Sequence, residues 1–171
     1  EARLLILGLA PGAHGANRTG RMFTGDSSGD FLYRVLFETG FATQPASVSA
    51  ADGLRLVDAY ITASAHCAPP DNKPAKEELA RCRPYLEREL QLLPNLRVVV
   101  ALGRIAFETY LSIIGARKSA HAFAHGAVHH LGEGQPILIA SYHPSQQNTS
   151  TGRLTHKMLL AAFQSARDLL P

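Results

Sequence analysis

The sequence is poor in cysteine, with two in 171 residues, and it has no long apolar run. A transmembrane helix needs roughly 18 or more consecutive apolar residues, so we expect no membrane span. Two cysteines cannot form a disulfide framework and no export signal is visible, which predicts a reduced, cytoplasmic setting. Because no internal repeat, low-complexity tract or linker is found, we expect one domain over residues 1–171, acting as a monomer.

The two common nucleotide-binding fingerprints are also missing. Gly15–Gly20 has the glycine spacing of a Walker loop, but Arg21 and Met22 stand where that motif needs Lys and then Ser or Thr. No Gly-x-Gly-x-x-Gly stretch is found. The sequence therefore argues against a nucleoside triphosphatase. What it does have is a mildly basic balance, with a net charge of +3 and an isoelectric point of about 9.1, which is compatible with a polyanionic partner.

Apolar runs alternate with segments of helical period, which predicts an α/β sandwich with a mainly parallel sheet. Strands are expected at Arg3–Leu9, Ala59–Ser64, Arg97–Leu102, Ala127–Leu131 and Ile137–Ser141. Helices are expected at Gly29–Thr39, Ala75–Leu93 (kinked or divided at Pro84), Arg104–Ile114 and Leu154–Leu169. Ligands bind beyond the carboxyl ends of parallel strands. We therefore expect three polar loops to converge there: Ala10–Ser28, His66–Pro74 and Tyr142–Gly152.

The first of these loops is rich in glycine, which lets bare backbone approach a ligand closely. Phe23 is either a plug of the core beneath the loop or a platform on which a base stacks. Asp26 is either a helix N-cap or a carboxylate that orients water or faces a developing cation. These features predict a pocket for a planar, phosphate-bearing ligand.

A histidine, His143, follows the last predicted strand, at a carboxyl end where catalytic side chains tend to lie. The polar, uncharged run Ser145–Ser150 comes directly after it. Such a run suits hydrogen bonding to phosphates and base edges, or it is an ordinary surface loop.

Candidate metal ligands are few. The histidines at 121, 125, 129 and 130 lack a helix-based His-x-x-x-His pair with an accompanying acid, so we expect them on the surface. Cys67 and Cys82 are free thiols by default, or at best half of a four-thiolate set.

Together these residues resemble the uracil-DNA glycosylase superfamily, and within it family 5 (type B). Gly8 to Asp26, GLAPGAHGANRTGRMFTGD, matches that family's first motif almost throughout, and His143–Asn148, HPSQQN, matches its last. Cys67–Pro74 and the later Cys82 match the segment between, so the resemblance covers nearly the whole chain. It implies a three-layer α/β/α sandwich with a central, mainly parallel four-stranded sheet.

The resemblance also implies an activity. The enzyme would flip uracil out of DNA and hydrolyse its N-glycosidic bond, leaving an abasic site, because the bond is inaccessible within a stacked duplex. Deaminated purines such as hypoxanthine or xanthine would be accepted as well.

The resemblance also implies roles for individual residues. Phe23 would stack on the base, His143 would hydrogen-bond its O2, and Asn72 would contact the base edge or the reaction water. Ala10 and Gly12 would line the pocket with backbone. Contacts to DNA would come from seven residues of the first and last motifs: His14, Asn17, Arg18, Ser145, Gln146, Gln147 and Asn148.

The best-known branch of the superfamily carries an Asp where this chain has Ala10, and family 5 itself has that Ala. Asp26 is the carboxylate that could take the place of the Asp missing at position 10. The chain then offers one carboxylate and not the opposed pair of most sugar hydrolases. We therefore favour a dissociative route, in which His143 and backbone donors stabilise the charge on O2. Asp26 would steady the oxocarbenium ion or position water.

The resemblance further implies a [4Fe-4S] cluster, which families 4 and 5 hold with four cysteines, two of them before the first strand. Cys67 and Cys82 would be two of its ligands. Because the sequence begins at Glu1, next to the first predicted strand, we expect an N-terminal segment with the other two to be missing.

Two other functions use the same pocket. A non-catalytic DNA- or nucleotide-binding module is one, although binding alone needs neither Asp26 nor His143. A hydrolase of free nucleosides is the other, although the polar run after His143 and the basic balance favour a polymer.

Overall fold

A computed structural model describes residues 1–170 of the chain. Its strands are β1 (Leu4–Gly8), β2 (Ala59–Ala63), β3 (Val98–Leu102), β4 (Val128–His129) and β5 (Ile137–Ser141). Its helices are α1 (Ala16–Thr19), α2 (Ser27–Glu38), α3 (Lys76–Gln91), α4 (Arg104–Ile113), α5 (Gln146–Ser150) and α6 (His156–Asp168). Short 3₁₀ turns lie at Pro70–Asn72 and Lys118–Ala120.

One sheet runs through the molecule in the order β2-β1-β3-β5-β4. The first four strands are parallel, and β4 is antiparallel to β5. The mainly parallel four-stranded sheet that the resemblance implies is therefore confirmed, and the strand predicted at Ala127–Leu131 forms a fifth, two-residue strand at one edge. β1 and β3 are buried at every position. This is why they read as continuous apolar runs, since a parallel sheet is covered on both faces.

Alternate residues of β1 lie in two separate cores. Leu4 and Ile6 pack with buried residues of α2 and α6, whereas Leu5 and Leu7 pack with buried residues of α3 and α4. Helices therefore cover both faces of the sheet, and the three-layer sandwich is confirmed.

Three local predictions need correction. α3 continues as one helix across Pro84, so the predicted division is wrong; proline removes one backbone donor there without ending the helix. The loop predicted at 142–152 contains α5, because the Ser145 hydroxyl accepts from the Asn148 amide and caps a helical turn. The last helix begins at His156, capped by Thr155, and not at Leu154.

An ion-pair network holds the amino-terminal edge of the sheet. Arg3, next to β1, donates to the Asp58 carboxylate, next to β2, from Nε at 2.9 Å and from Nη2 at 2.6 Å. Arg167 of α6 lies 3.9 Å from the same carboxylate, and its guanidinium stacks on Phe41. Hydrogen bonds from Arg3 hold the pKa of Asp58 below its ordinary value, against the opposing effect of burial.

Asp58→Asn is expected to lower the free energy of unfolding at pH 7 by about 1–3 kcal/mol. Asparagine tolerates the left-handed backbone at φ 59°, so the variant removes mainly the charge. Urea unfolding followed by circular dichroism measures the change, with Glu133→Gln in an exposed turn as the control. Because folding lowers the pKa of Asp58, its stabilising effect is present above about pH 3.8 and fades as the pH falls further. Equal unfolding midpoints for the two variants would contradict the prediction.

Candidate active site

The three predicted loops converge at the carboxyl ends of the parallel strands. They enclose a cavity of about 670 Å³ whose wall includes residues of the loops after β1, β2 and β5. The predicted residues that line it are Ala10, Gly12, His14, Phe23, Asp26, Asn72, His143, Ser145, Gln146 and Gln147. Residues from three distant parts of the chain thus form one site, as the topology predicts.

Asp26 is both a helix cap and a wall of the cavity. Its Oδ1 accepts from the Gly29 amide at 2.9 Å, at the start of α2. Its Oδ2 lies over Gly12 and Gly15, where a Cβ built on Gly12 would be 3.1 Å from it and one on Gly15 would clash with it. One oxygen is therefore committed to the backbone, and the other lies against two residues that have no side chain.

His143 lies at the exit of β5, opposite the first loop. Its ring centroid is 5.9 Å from that of Phe23, with the two planes inclined at 36°. Burial lowers the pKa of His143 to about 4, even though the charge of Asp26 acts in the opposite direction. The imidazole is therefore neutral at physiological pH and keeps one N–H to donate.

The backbone of His143 is held by a side chain five residues on. Asn148 donates from Nδ2 to the His143 carbonyl at 2.9 Å, and its own carbonyl accepts from the Leu154 amide at 3.0 Å. Sequence analysis assigned Asn148 to DNA contact. The structure adds a second use of this side chain, because one N–H of the carboxamide shapes the loop that carries the histidine.

Phe23 belongs both to the core and to the wall of the cavity. The residue is 6% exposed and belongs to the core beneath the loop, yet it also lines the cavity. Its backbone is left-handed, at φ 54°. Its ring edge lies so close to Gly8 that a Cβ there would be 3.0 Å from Cε2 and Cζ. The ring position therefore depends on a glycine at the end of β1.

Asn72 lies on the 3₁₀ turn after β2, together with a second acid. Asp71 and Asn72 have φ values of 52° and 55°, and both line the cavity while remaining exposed. Left-handed backbone outside glycine concentrates at functional sites. Sequence analysis counted one carboxylate in the pocket and missed Asp71. The position of Asp71 next to Asn72, in the second of the three polar loops, could have indicated that it lines the pocket.

Five of the seven predicted DNA contacts are exposed, and they divide into two groups. His14, Gln146 and Gln147 are exposed on the cavity wall. Asn17 and Arg18 are exposed on α1 and do not line the cavity. The first group can reach a nucleotide entering the cavity, whereas the second can reach only the strand outside it.

The two cysteines are close in the fold but are not bonded to each other. Cys67 is exposed, Cys82 is buried on α3, and the His66 amide donates to the Cys82 sulfur at 3.3 Å. Within residues 1–170, no group of three or more His, Cys, Asp or Glu side chains could hold a metal ion. In the same range, every helix is too short or too polar to cross a membrane.

The remaining histidines are less exposed than predicted. His121, His125 and His129 are half-buried, and His130 alone of the four is exposed. A ring nitrogen of His125 lies 3.0 Å from the Met158 carbonyl, which joins the segment before β4 to α6. This histidine has a structural contact that its spacing in the sequence does not reveal.

Comparison with known proteins gives a consistent set of matches. A family model described as the uracil DNA glycosylase superfamily matches residues 1–167. A type-5 uracil-DNA glycosylase of Thermus thermophilus is 57% identical over 169 residues, covering 99% of this chain and 76% of that protein. A type-5 uracil-DNA glycosylase of Mycobacterium bovis is 52% identical, covering 98% of this chain and 63% of that protein. A type-4 uracil-DNA glycosylase of Archaeoglobus fulgidus is 32% identical, covering 85% of this chain and 66% of that protein.

Proposed function

The chain belongs to the uracil DNA glycosylase superfamily, and on that premise we propose that it excises uracil from DNA by hydrolysing the N-glycosidic bond. The observation that carries the proposal is the pairing, in one cavity, of the Asp26 carboxylate with the neutral imidazole of His143. A binding module needs neither group. The cavity lies among the loops at the carboxyl ends of the strands, and a base must leave the duplex stack to enter it.

In the proposed reaction, the bond between C1′ of the sugar and N1 of uracil breaks, and its electrons leave with the base. The neutral His143 donates a hydrogen bond to O2 as negative charge develops there, and backbone donors of the first loop add to this. The sugar becomes an oxocarbenium ion, water adds to its C1′, and the proton that the water loses passes through solvent to the uracil anion. Asp26 either steadies that cation or orients the water, and both roles fit a carboxylate that lines the cavity.

Other cavity residues fix the base. Phe23 offers its ring as the stacking platform, and Asn72 offers a carboxamide to the base edge or to the water. Ala10 and Gly12 contribute backbone without side chains that would fill the space. A cavity of about 670 Å³ leaves room for a purine, which supports the proposal that hypoxanthine and xanthine are also removed.

The DNA strand is proposed to lie across His14 and the Ser145–Gln147 segment, with Asn17 and Arg18 farther along it. Asn148 contributes mainly by holding the His143 carbonyl. The exposed, uncharged amides of Gln146 and Gln147 suit contacts to phosphates and base edges.

For the proposed [4Fe-4S] cluster, the donor chemistry of this chain fits half of the ligand set. Cys67 is exposed, and the buried Cys82 lies beside the segment that carries Cys67, so both thiols are on one side of the fold. Two further cysteine ligands are required, and they would have to come from outside this sequence. The proposal is tested by iron and sulfide analysis of protein that includes such cysteines, purified without oxygen, against the same protein with Cys67→Ser. A colourless, iron-free preparation would contradict it.

We further propose a cytoplasmic monomer. The two thiols are unpaired, which fits a reducing compartment. Light scattering of purified protein tests the monomer directly, since a mass of twice 18.4 kDa would exclude it.

The activity is tested by incubating the protein with a duplex that contains one uracil and then treating it with alkali. Strand cleavage at the uracil, absent from a thymine duplex, is expected. Tight binding without cleavage would favour a non-catalytic module. Release of uracil from free deoxyuridine but not from DNA would favour a nucleoside hydrolase.

Gly15→Ala is expected to lower kcat/KM for uracil excision at least tenfold. A Cβ at Gly15 would lie 2.9 Å from the Asp26 Cγ and would clash with Oδ2, so the carboxylate must move. Gly12→Ala is the matched comparison, because its Cβ would meet the same oxygen at 3.1 Å and needs a smaller shift. Initial rates on a uracil duplex show whether Gly15→Ala loses more activity than Gly12→Ala. Equal activity of Gly15→Ala and wild type would show that the position of this carboxylate is not critical.

A further inference from the structure

The backbone of Phe23 has a conformation that residues with a large side chain rarely adopt. Its φ is 54°, in the left-handed region, which costs free energy for every residue except glycine. Such a conformation persists only where the surrounding structure determines it. The contacts of the peptide groups on either side of Phe23 therefore show what keeps its ring in place.

The peptide group before Phe23 is held through the Met22 carbonyl. The Tyr33 hydroxyl, on α2, donates to this oxygen at 2.9 Å, and the Thr24 hydroxyl donates to it at 3.3 Å. Tyr33 is 1% exposed, and burial raises the pKa of its hydroxyl, so the proton stays available for this bond. The angle φ of Phe23 describes rotation next to this peptide group, so fixing the carbonyl limits that rotation.

The peptide group after Phe23 contacts the same helix. A Cβ built on Gly29 of α2 would overlap the Phe23 carbonyl oxygen, so that carbonyl lies directly against helix backbone. The Gly29 amide is also the group that Asp26 caps. One helix therefore contacts both peptide groups of Phe23 and carries Asp26 at its start, so it fixes the ring relative to the carboxylate.

A second set of hydrogen bonds reaches the Met22 carbonyl from the other side. Arg21 donates from Nη1 to the Asp52 carboxylate at 2.8 Å and to the Ser47 hydroxyl at 3.0 Å. The Ser47 and Thr24 hydroxyl oxygens are 2.6 Å apart. Because arginine can only donate, the Ser47 proton is free to bond Thr24, and the Thr24 proton is free to bond the Met22 carbonyl. This carbonyl therefore keeps one partner when the Tyr33 hydroxyl is removed.

We propose that Tyr33 is a positioning residue, whose hydroxyl holds the Phe23 ring in place for the extruded base through the Met22 carbonyl. The Ser47–Thr24 pair supports the same carbonyl. That the ring meets a base rests on the proposed function. Tyr33 does not line the cavity, so it acts through the backbone and not on the substrate. A displaced ring would misalign the base, and a small misplacement of reacting groups lowers the rate steeply.

Tyr33→Phe is expected to lower the single-turnover rate of uracil excision about tenfold, because it removes the hydroxyl alone and releases the ring. Tyr110→Phe is the matched control. Tyr110 is equally buried, belongs to the core on the other face of the sheet and does not line the cavity. Its variant should excise uracil at the wild-type rate.

The position of the ring is measured separately from activity, through the NMR chemical shifts of the Gly8 α protons. The ring edge of Phe23 lies so close to Gly8 that its ring current must affect them. These shifts should change in Tyr33→Phe and stay at their wild-type values in Tyr110→Phe. Ser47→Ala interrupts the second set of hydrogen bonds and should change the same shifts, which keeps the test decisive if Tyr33→Phe does not fold.

Unchanged Gly8 shifts in Tyr33→Phe, or in Ser47→Ala where Tyr33→Phe does not fold, would overturn the proposal. Changed shifts with a wild-type excision rate, or an equal loss of rate in Tyr110→Phe, would overturn it as well. Failure of the wild type to excise uracil from DNA would instead refute the proposed function, while the Gly8 shifts would still decide whether Tyr33 holds the ring.

Discussion

Asp26→Asn is expected to lower kcat for uracil excision by about 10²–10³-fold, with little change in the affinity for uracil DNA. The variant keeps the shape of the side chain and removes its negative charge. Asp26 lines the cavity, and its Oδ2 is the atom closest to Gly12 and Gly15, so the charge lies beside two residues without side chains. A cation that develops on the sugar would lose that charge, whereas the contacts of the strand outside the cavity would remain.

The other oxygen of Asp26 makes asparagine the informative substitution. Oδ1 caps α2 through the Gly29 amide, and an asparagine carbonyl can accept the same bond. Asp26→Ala would lose the cap as well and is expected to unfold about 1 kcal/mol more easily. Single-turnover rates and urea unfolding of both variants separate the two roles. If Asp26→Asn excises uracil at the wild-type rate and Asp26→Ala does not, the residue acts only as a cap.

The fold was predictable because the strands are buried on both faces. Continuous apolar runs such as Val98–Leu102 can be recognised without knowing their neighbours, and alternation with helices then fixes a mainly parallel sheet. The short elements were not predictable in the same way. α5 is five residues long and depends on one cap, Ser145, which in the sequence looks like any other polar loop residue.

The sequence predicts which loops meet at the site. It does not predict which contacts the individual side-chain atoms make there. Asp26 could be assigned either as a cap or as a functional carboxylate, and the structure shows that Oδ1 caps α2 while Oδ2 lies against Gly12 and Gly15. Asn148 is predicted to contact DNA, and its hydrogen bond to the His143 carbonyl within the loop could not be predicted. Such assignments depend on where a side chain points, and spacing along the sequence does not contain that information.

His143→Ala is expected to lower kcat by about 10²–10³-fold as well, because it removes the donor to O2 of the leaving base. His143→Asn is the matched comparison, since a neutral carboxamide can still donate a hydrogen bond from a shorter side chain. We expect it to recover part of the loss. Single-turnover rates at saturating enzyme measure this without a contribution from DNA binding. If His143→Asn and His143→Ala were both as fast as wild type, the leaving base would not depend on this residue.

The pH dependence follows from the neutral state of the same imidazole. Burial lowers the pKa of His143 from the ordinary 6.5 to about 4, so the unfolded chain binds a proton there before the folded protein does. The free energy of unfolding should therefore fall as the pH falls from about 6.5 towards 4, and His143→Asn should show a shallower fall. The imidazole NMR signal of His143 should stay at its neutral position from pH 8 down to about 5. A signal that titrates near 6.5 would mean that a charged imidazole, and not a neutral donor, faces the base at physiological pH.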